Sequence, residues 1–505
     1  MKLAASNSSD YDKGQAELVC NGSNDRTIVQ QAFGAENEKV VVCDGLYNID
    51  SGSNGVDEKP YIYPARGVVV QGTGNAVFLA DSGICRIMCK NPNTVLSGLD
   101  MQGYVQIQNY ASNQIFKDLK LSNRLPGKRW LNWGNKGGCT GHLQNWTPKG
   151  TTTSGIVIER VTLEDSYHHG IGFHLNNAQE GGEWRDITIS NCTLISPGSG
   201  LEMDKIPGDR DWSTGIDVDT GDITNMMVRN TTITDPWQSG FHTDGSWNGH
   251  SQVVKNLVFE NCSVTGAGQR AGTTPKEMYE AGFYLQDAVL KGCSTKDCRV
   301  GYLAGNVTNG GLTMVDCKDE GSQYSLAVEY GGDGATISNF VSKGATVRAL
   351  QILGRNVTYT NIRIEDFTGS GAPVMLGKIG KLIYADAPSH KGDMKRYLDM
   401  RYSVSGRFDI LSTYKQRDEL AEVWDGSTMD WGKFTKTTIG APNIPQEETN
   451  VPPPLPQEYL LYEDGSIKVV VPSGEKYIMN GGFVPVDAQK YFTHGTKYMR
   501  EGNPS

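Results

Sequence analysis

An all-β solenoid of stacked parallel coils is the fold this sequence predicts, on three observations. A short unit recurs: "ITISNCTLI" (187–195), "MMVRNTTIT" (226–234), "LVFENCSVT" (257–265), "LTMVDCKDE" (312–320) and "ATISNFVSK" (335–343) share alternating apolar residues, an Asn or Asp, then a small or apolar residue. The aligned positions are Gly98, Asp118, Arg160, Asn191, Asn230, Asn261, Gly292, Asp316, Asn339 and Asn361, and the last three steps are 24, 23 and 22 residues. Steps of that length fit one turn of a parallel β-helix, and the longer steps upstream fit the same turn with a loop inserted. Finally, 61 glycines and a charged fraction of 21% suit many short strands joined by tight turns.

Taken in chain order, "NGSNDRTIVQQAF" (21–33) reads as an N-capped amphipathic helix with Ile28, Val29, Ala32 and Phe33 on one face. An open solenoid end needs such a cover over its exposed strand edge. Within the repeat, the Asn/Asp column marks a turn whose side chains bond to their equivalents in neighbouring coils. Cys192, Cys262, Cys293 and Cys317 fall in the next column with Val161, Phe340 and Ile362, so they belong to the core as unpaired thiols. A second strand begins on a small residue in each unit: "GIGFH" (170–174), "GLEMD" (200–204), "GFHTD" (240–244), "GFYLQ" (282–286), "GYLAG" (301–305), "SLAVE" (325–329), "ALQIL" (349–353) and "PVMLG" (373–377). Its second and fourth residues are apolar and point inward, while the third and fifth point outward. Past about residue 380 the repeat fades. "VPPPLP" (451–456) is a stiff linker, and "YLLYEDGSIKVVV" is a hairpin turning at Asp464-Gly465. The expected divisions are 1–45 (N-terminal segment with capping helix), 46–380 (β-helix with loops), 381–450 (irregular) and 451–505 (linker and small β module).

Composition narrows the function. A net charge of −10 with no basic run argues against nucleic acid as a partner, and no apolar stretch is long enough to cross a bilayer. The N-terminus "MKLAASNSSD" lacks the apolar core of a secretory signal, so an extracellular protein would have had its signal removed or leave the cell by another route such as lysis. None of the 10 cysteines has zinc-ligand spacing, and no metal ligand set is read from the sequence.

The stretch "SGFHTDGSW" (239–247) places a histidine and an aspartate on the wet face of a short strand. Successive coils lie about 4.8 Å apart, so outward residues of consecutive coils form one strip. That strip is expected to carry His174, then Glu202 and Asp204, then His242 and Asp244, then Tyr284, with Asp217 and Asp219 of "GIDVD" (215–219) beside them. The inserted loops 122–153, 175–186, 205–214 and 266–281 should rise as walls, bringing Trp184, Trp212, Trp237 and Trp247 with Arg185, Lys205 and Arg210. His168 and His169 are read as turn residues facing the same groove. A single outward Asp on a solenoid ordinarily serves solubility. Clustered acids and imidazoles beside aromatic faces are what a sugar-chain groove needs.

On these coils, on "GIDVD" and on "DRTIVQQAF…VVVCDGLYNI", the chain resembles the right-handed parallel β-helix, or pectin-lyase-like, superfamily over roughly residues 20–380. That superfamily includes pectate and other uronate lyases, polygalacturonases, sugar epimerases and phage tailspike depolymerases. "HTDG" (242–245) is similar to the "NTDG" of polygalacturonases, which implies a catalytic role for Asp244. The Asp-Asp pair and "RIK" that follow there have no counterpart here, and the calcium-binding aspartates and catalytic arginine of pectate lyases have no match.

The resemblance implies cleavage of an extracellular or capsular polysaccharide in a surface groove. In hydrolysis, Asp244 with Asp217 or Asp219 would serve as acid and base, with His242 positioning one of them. In β-elimination, His242 or His174 would take the proton beside a uronate carboxyl group, which arginine or calcium would neutralise. Calcium is the one cofactor this leaves open. The alternative is a phage tailspike that grips a host surface glycan, with or without cutting it. The protein would be a monomer as a secreted enzyme and a homotrimer as a tailspike.

Overall fold

A computed structural model describes residues 1–50, 61–123, 141–148, 150–166, 168–175, 181–199, 213–218, 220–243, 246–247, 250–269, 280–304, 311–328, 332, 334–352, 357–360 and 362–369; beyond these it describes only the strands 374–376, 408–410, 421–423, 458–461, 467–470, 476–479 and 499–501. The chain divides into two compact units, Met1–Phe283 and Tyr284–Ser505.

In the first unit each coil contributes to three parallel ladders. One joins Ile115–Lys117, Val157–Glu159 and the ends of Glu183–Ser190, Asp222–Arg229 and Val254–Glu260. The next joins Lys120–Ser122, Thr162–Glu164, Thr193–Ile195, Thr232–Thr234 and Ser263–Thr265. Only the central residue of each of these short strands (Leu121, Leu163, Leu194, Ile233, Val264) is buried, as period-two alternation requires. The third joins the end of Val95–Asn109 to Gly141–Thr147, His169–Leu175, Ile216–Val218 and Phe241–Thr243.

The expected turn column is there. Asp118, Arg160, Asn191, Asn230 and Asn261 all take φ near +50°, a region that short amide and carboxylate side chains tolerate better than most. The Asn230 amide donates to Asn191 Oδ1 at 3.2 Å and the Asn261 amide to Asn230 Oδ1 at 3.5 Å. Two further left-handed columns turn the other bends: Asp165, Ser196 and Asp235, and then Asp186, Asn225 and Asn256. Cys192 and Cys262 are buried and unpaired, and each thiol donates to the backbone carbonyl two residues earlier.

The N-terminal helix runs Arg26–Phe33 and buries Val29, Ala32 and Phe33, while Ile28 stays half-buried. Asp25 sits at its start without capping it; its carboxylate instead accepts from the backbone N–H groups of Asn21, Gly22 and Asn48, tying the loop to the first coils. Parallel pairing begins earlier than expected, because Lys2–Ala4 already pairs with Leu18–Val19 and Lys39–Val42.

The second unit repeats the pattern, with left-handed turns at Gly292, Asp316 and Asn339. Cys293 and Cys317 are likewise buried and unpaired. Its ladders run past residue 380: Phe408–Ile410 pairs with Ile362–Glu365, and Ala421–Val423 with Val374–Leu376. The predicted hairpin is present as Glu458–Leu461 against Ile467–Val470, antiparallel, within a four-stranded sheet.

Candidate functional site

The outer face of the third ladder in the first unit gathers imidazoles around a carboxylate. Its strands align Gln108, Gln144, Gly172, Asp217 and His242 in one register row. The preceding row, Ile107, Leu143, Ile171, Ile216 and Phe241, is buried in the core. Phe241 anchors the strand inward and His242 therefore projects outward, which is why the two residue types alternate there. Two positions along, Trp146 is in register with His174. The strand lying between the His174 and His242 coils is Ile216–Val218, so "GIDVD" fills the place expected for "GLEMD". Both segments show the same alternation, but Ile216 and Val218 are the better strand formers.

Asp217 is the hub. It is 0% exposed, with Oδ1 2.7 Å from His242 Nδ1 and Oδ2 3.8 Å from His169 Nε2. An ionised carboxylate only accepts, so His242 donates through Nδ1–H. His169 Nδ1 lies 3.1 Å from the Thr214 hydroxyl and accepts from the Thr214 N–H at 3.3 Å. Burial first, then the neighbouring imidazoles of His174, His168 and His242, hold His169 well below the usual imidazole range, in its neutral form.

His174 Nε2 is 2.7 Å from Gln144 Oε1. The Gln144 amide nitrogen donates to the Leu143 carbonyl at 3.2 Å, which turns Oε1 toward the ring, so His174 is the donor. This bond passes over Gly172: a Cβ there would lie 2.2 Å from His174 Nε2 and 2.3 Å from Gln144 Oε1. Beside it, the Trp146 ring is 4.9 Å from that of His174 and stacks on Tyr110 at 6.4 Å. The buried indole N–H of Trp146 has no hydrogen-bond partner among the described residues.

Ligand atoms of His169, His174 and Asp217 lie within 4.8 Å of one another, close enough to share a metal ion. Calcium, which takes six to eight oxygen ligands, does not fit a set with two imidazoles and one carboxylate.

The structure thus gathers Asp217, His242, His174 and His169, with the half-buried His168 ring 6.1 Å from that of His169. Two expected groove residues, Trp184 and Arg185, are placed otherwise. Trp184 is 0% exposed, edge-on to Phe173, with its indole N–H donated to the Thr220 carbonyl; the strand's alternation turns it into the core. Arg185 belongs to the neighbouring strand Glu183–Ser190 and is held by the Glu183 carboxylate at 2.7 Å. Tyr284, the first residue of the second unit, is 5% exposed. Trp237 is half-buried at a turn, its backbone N–H bonded to the Pro197 carbonyl. Trp247 lies in a two-residue strand paired with His250–Ser251. Glu202, Asp204, Lys205, Arg210, Trp212, Asp219 and Asp244 lie outside the described residues.

Sequence reasoning missed Tyr110, Gln144, Trp146 and Thr214. Gln144 and Trp146 sit inside the segment read as an insertion, yet "GHLQNWT" (141–147) itself alternates, and that was the available signal.

The family model described as "Right handed beta helix region" matches residues 149–342. The fold is a right-handed parallel β-helix. No curated protein matches the chain. Among solved structures, the β-helix is similar to the catalytic domain of a GH87 alpha-1,3-glucanase in complex with nigerose, at 11% identity and a TM-score of 0.43 over 65% of this chain and 60% of that one. It is also similar to pectate lyase Pel9A, at 12% identity and a TM-score of 0.38 over 73% and 77% of the two chains. A mannuronic acid specific polysaccharide family 6 lyase from human gut microbiota aligns at 10% identity and a TM-score of 0.34 over 82% and 92%. The chain spans about 60% of the glucanase chain it matches.

Proposed function

We propose that this β-helix is a carbohydrate-active enzyme acting outside the cell, cleaving glycosidic bonds of an extracellular or capsular polysaccharide laid along the outer face of the third ladder. The observation that carries it is the Asp217–His242 pair at 2.7 Å. A buried carboxylate that holds a ring through Nδ1–H fixes its orientation, as a positioned general base requires. Trp146 and Tyr110 supply an aromatic face on which a sugar ring stacks.

This geometry favours β-elimination over hydrolysis. Asp217 lies beneath His242 with no exposed surface, so it orients the ring and does not reach the substrate as an acid. In the elimination, His242 Nε2 accepts the proton on the carbon next to a uronate carboxyl group. The electron pair left behind forms the new carbon–carbon double bond and expels the glycosidic oxygen, which takes a proton from water. The products are a chain with a new reducing end and one with an unsaturated end.

The test is incubation with uronate-containing and neutral polysaccharides, following chain length and ultraviolet absorbance. Shortening with new unsaturated ends supports the elimination. Shortening without them moves the chemistry to hydrolysis, and glycan binding without any shortening replaces the enzyme with an adhesin of the tailspike kind.

A further inference from the structure

We infer that His169, His174 and Asp217 together bind one divalent transition-metal ion of the Zn²⁺ class. The three residues come from two adjacent coils, are all buried, and have ligand atoms within 4.8 Å of one another. The one spacing fixed atom to atom, His169 Nε2 to Asp217 Oδ2, is 3.8 Å. Two donors on a tetrahedral ion, each about 2.0–2.2 Å from it, lie roughly 3.4 Å apart. Closing that gap takes a few tenths of an ångström of side-chain motion.

Each ligand is also held from behind, as metal ligands usually are. Thr214 holds the His169 ring at Nδ1, through its N–H at 3.3 Å and its hydroxyl at 3.1 Å, which directs Nε2 toward Asp217. Gln144 Oε1 takes the Nε2–H of His174, and His242 Nδ1–H binds the second oxygen of Asp217. Two neutral imidazoles and a carboxylate select borderline metals over hard, oxygen-seeking cations. Three protein ligands leave coordination positions open to water or to a substrate oxygen.

The site shares Asp217 with the proposed cleavage chemistry, and its test uses no polysaccharide, so the two can fail separately. The full chain, stripped with a chelator, is titrated calorimetrically with zinc chloride and separately with calcium chloride; near-ultraviolet circular dichroism checks the fold of each variant. One saturable Zn²⁺ site per chain is expected, weakened at least tenfold in His169→Ala and in Asp217→Asn, with no competition from calcium. If Asp217→Asn fails to fold, His174→Gln is read in its place and should show the same loss. Absence of saturable zinc binding to the wild-type chain, unchanged affinity in a folded His169→Ala variant, or equal affinity for calcium overturns the assignment.

Discussion

Asp319 is a carboxyl group inside the second unit, 1% exposed, on the inward position of strand Lys318–Glu320. It accepts from the hydroxyls of Ser322, of Thr295 at 2.7 Å and of Ser325 at 2.6 Å. Burial outweighs these three donors and pushes the carboxyl up to about 6. Against the ordinary aspartate value near 3.9, that rise corresponds to about 3 kcal/mol. The folded chain holds this proton more tightly than the unfolded one. The stabilisation is therefore full below about pH 4 and is lost as pH rises to about 6, beyond which the curve is flat. Asp319→Asn keeps the shape and cannot ionise. Its stability relative to wild type, measured by urea denaturation, should shift in the variant's favour by about 3 kcal/mol between pH 4 and pH 7. A wild-type-to-variant gap that is the same at both pH values would refute the reasoning.

Other perturbations test the site and the coils. Gly172→Ala puts a methyl group where His174 meets Gln144, leaving a buried amide oxygen without its donor. Urea denaturation should show a loss of about 1–3 kcal/mol, and polysaccharide cleavage should fall with it. Asn230, at φ 48°, gives one ladder bond and receives another. Asn230→Ala should cost about 2–3 kcal/mol, from the left-handed backbone and two exposed hydrogen bonds. Asn230→Gly should recover about 1 kcal/mol of that, and equal losses in the two variants would remove the backbone part of the explanation.

The coils were readable because their turns are chemically marked. One Asn/Asp column with apolar neighbours is visible as text, and it fell where the left-handed backbone lies, from Asp118 to Asn339. The second and third columns were not, since Asp165, Ser196 and Asp235 share no flanking pattern strong enough to stand out. For the site, alternation alone turned His242 outward and Phe241 inward. It did not distinguish "GIDVD" from "GLEMD", because both satisfy the same period, and pairing register is a property of neighbours distant in the chain. Nor did alternation show that an outward-pointing Asp217 would be roofed over by His169 and His242. Trp184 misled for the opposite reason: it was assigned to a loop, where aromatic residues face ligand, and it belongs to a strand whose inner face it fills.

The most direct test of the Asp217–His242 assignment is the cleavage rate of His242→Gln beside wild type, on whichever polysaccharide the wild-type chain shortens. Loss of a positioned general base should slow the reaction by about 10²-fold or more, while the melting temperature stays within a few degrees. A folded His242→Gln variant that cleaves at the wild-type rate would contradict the account.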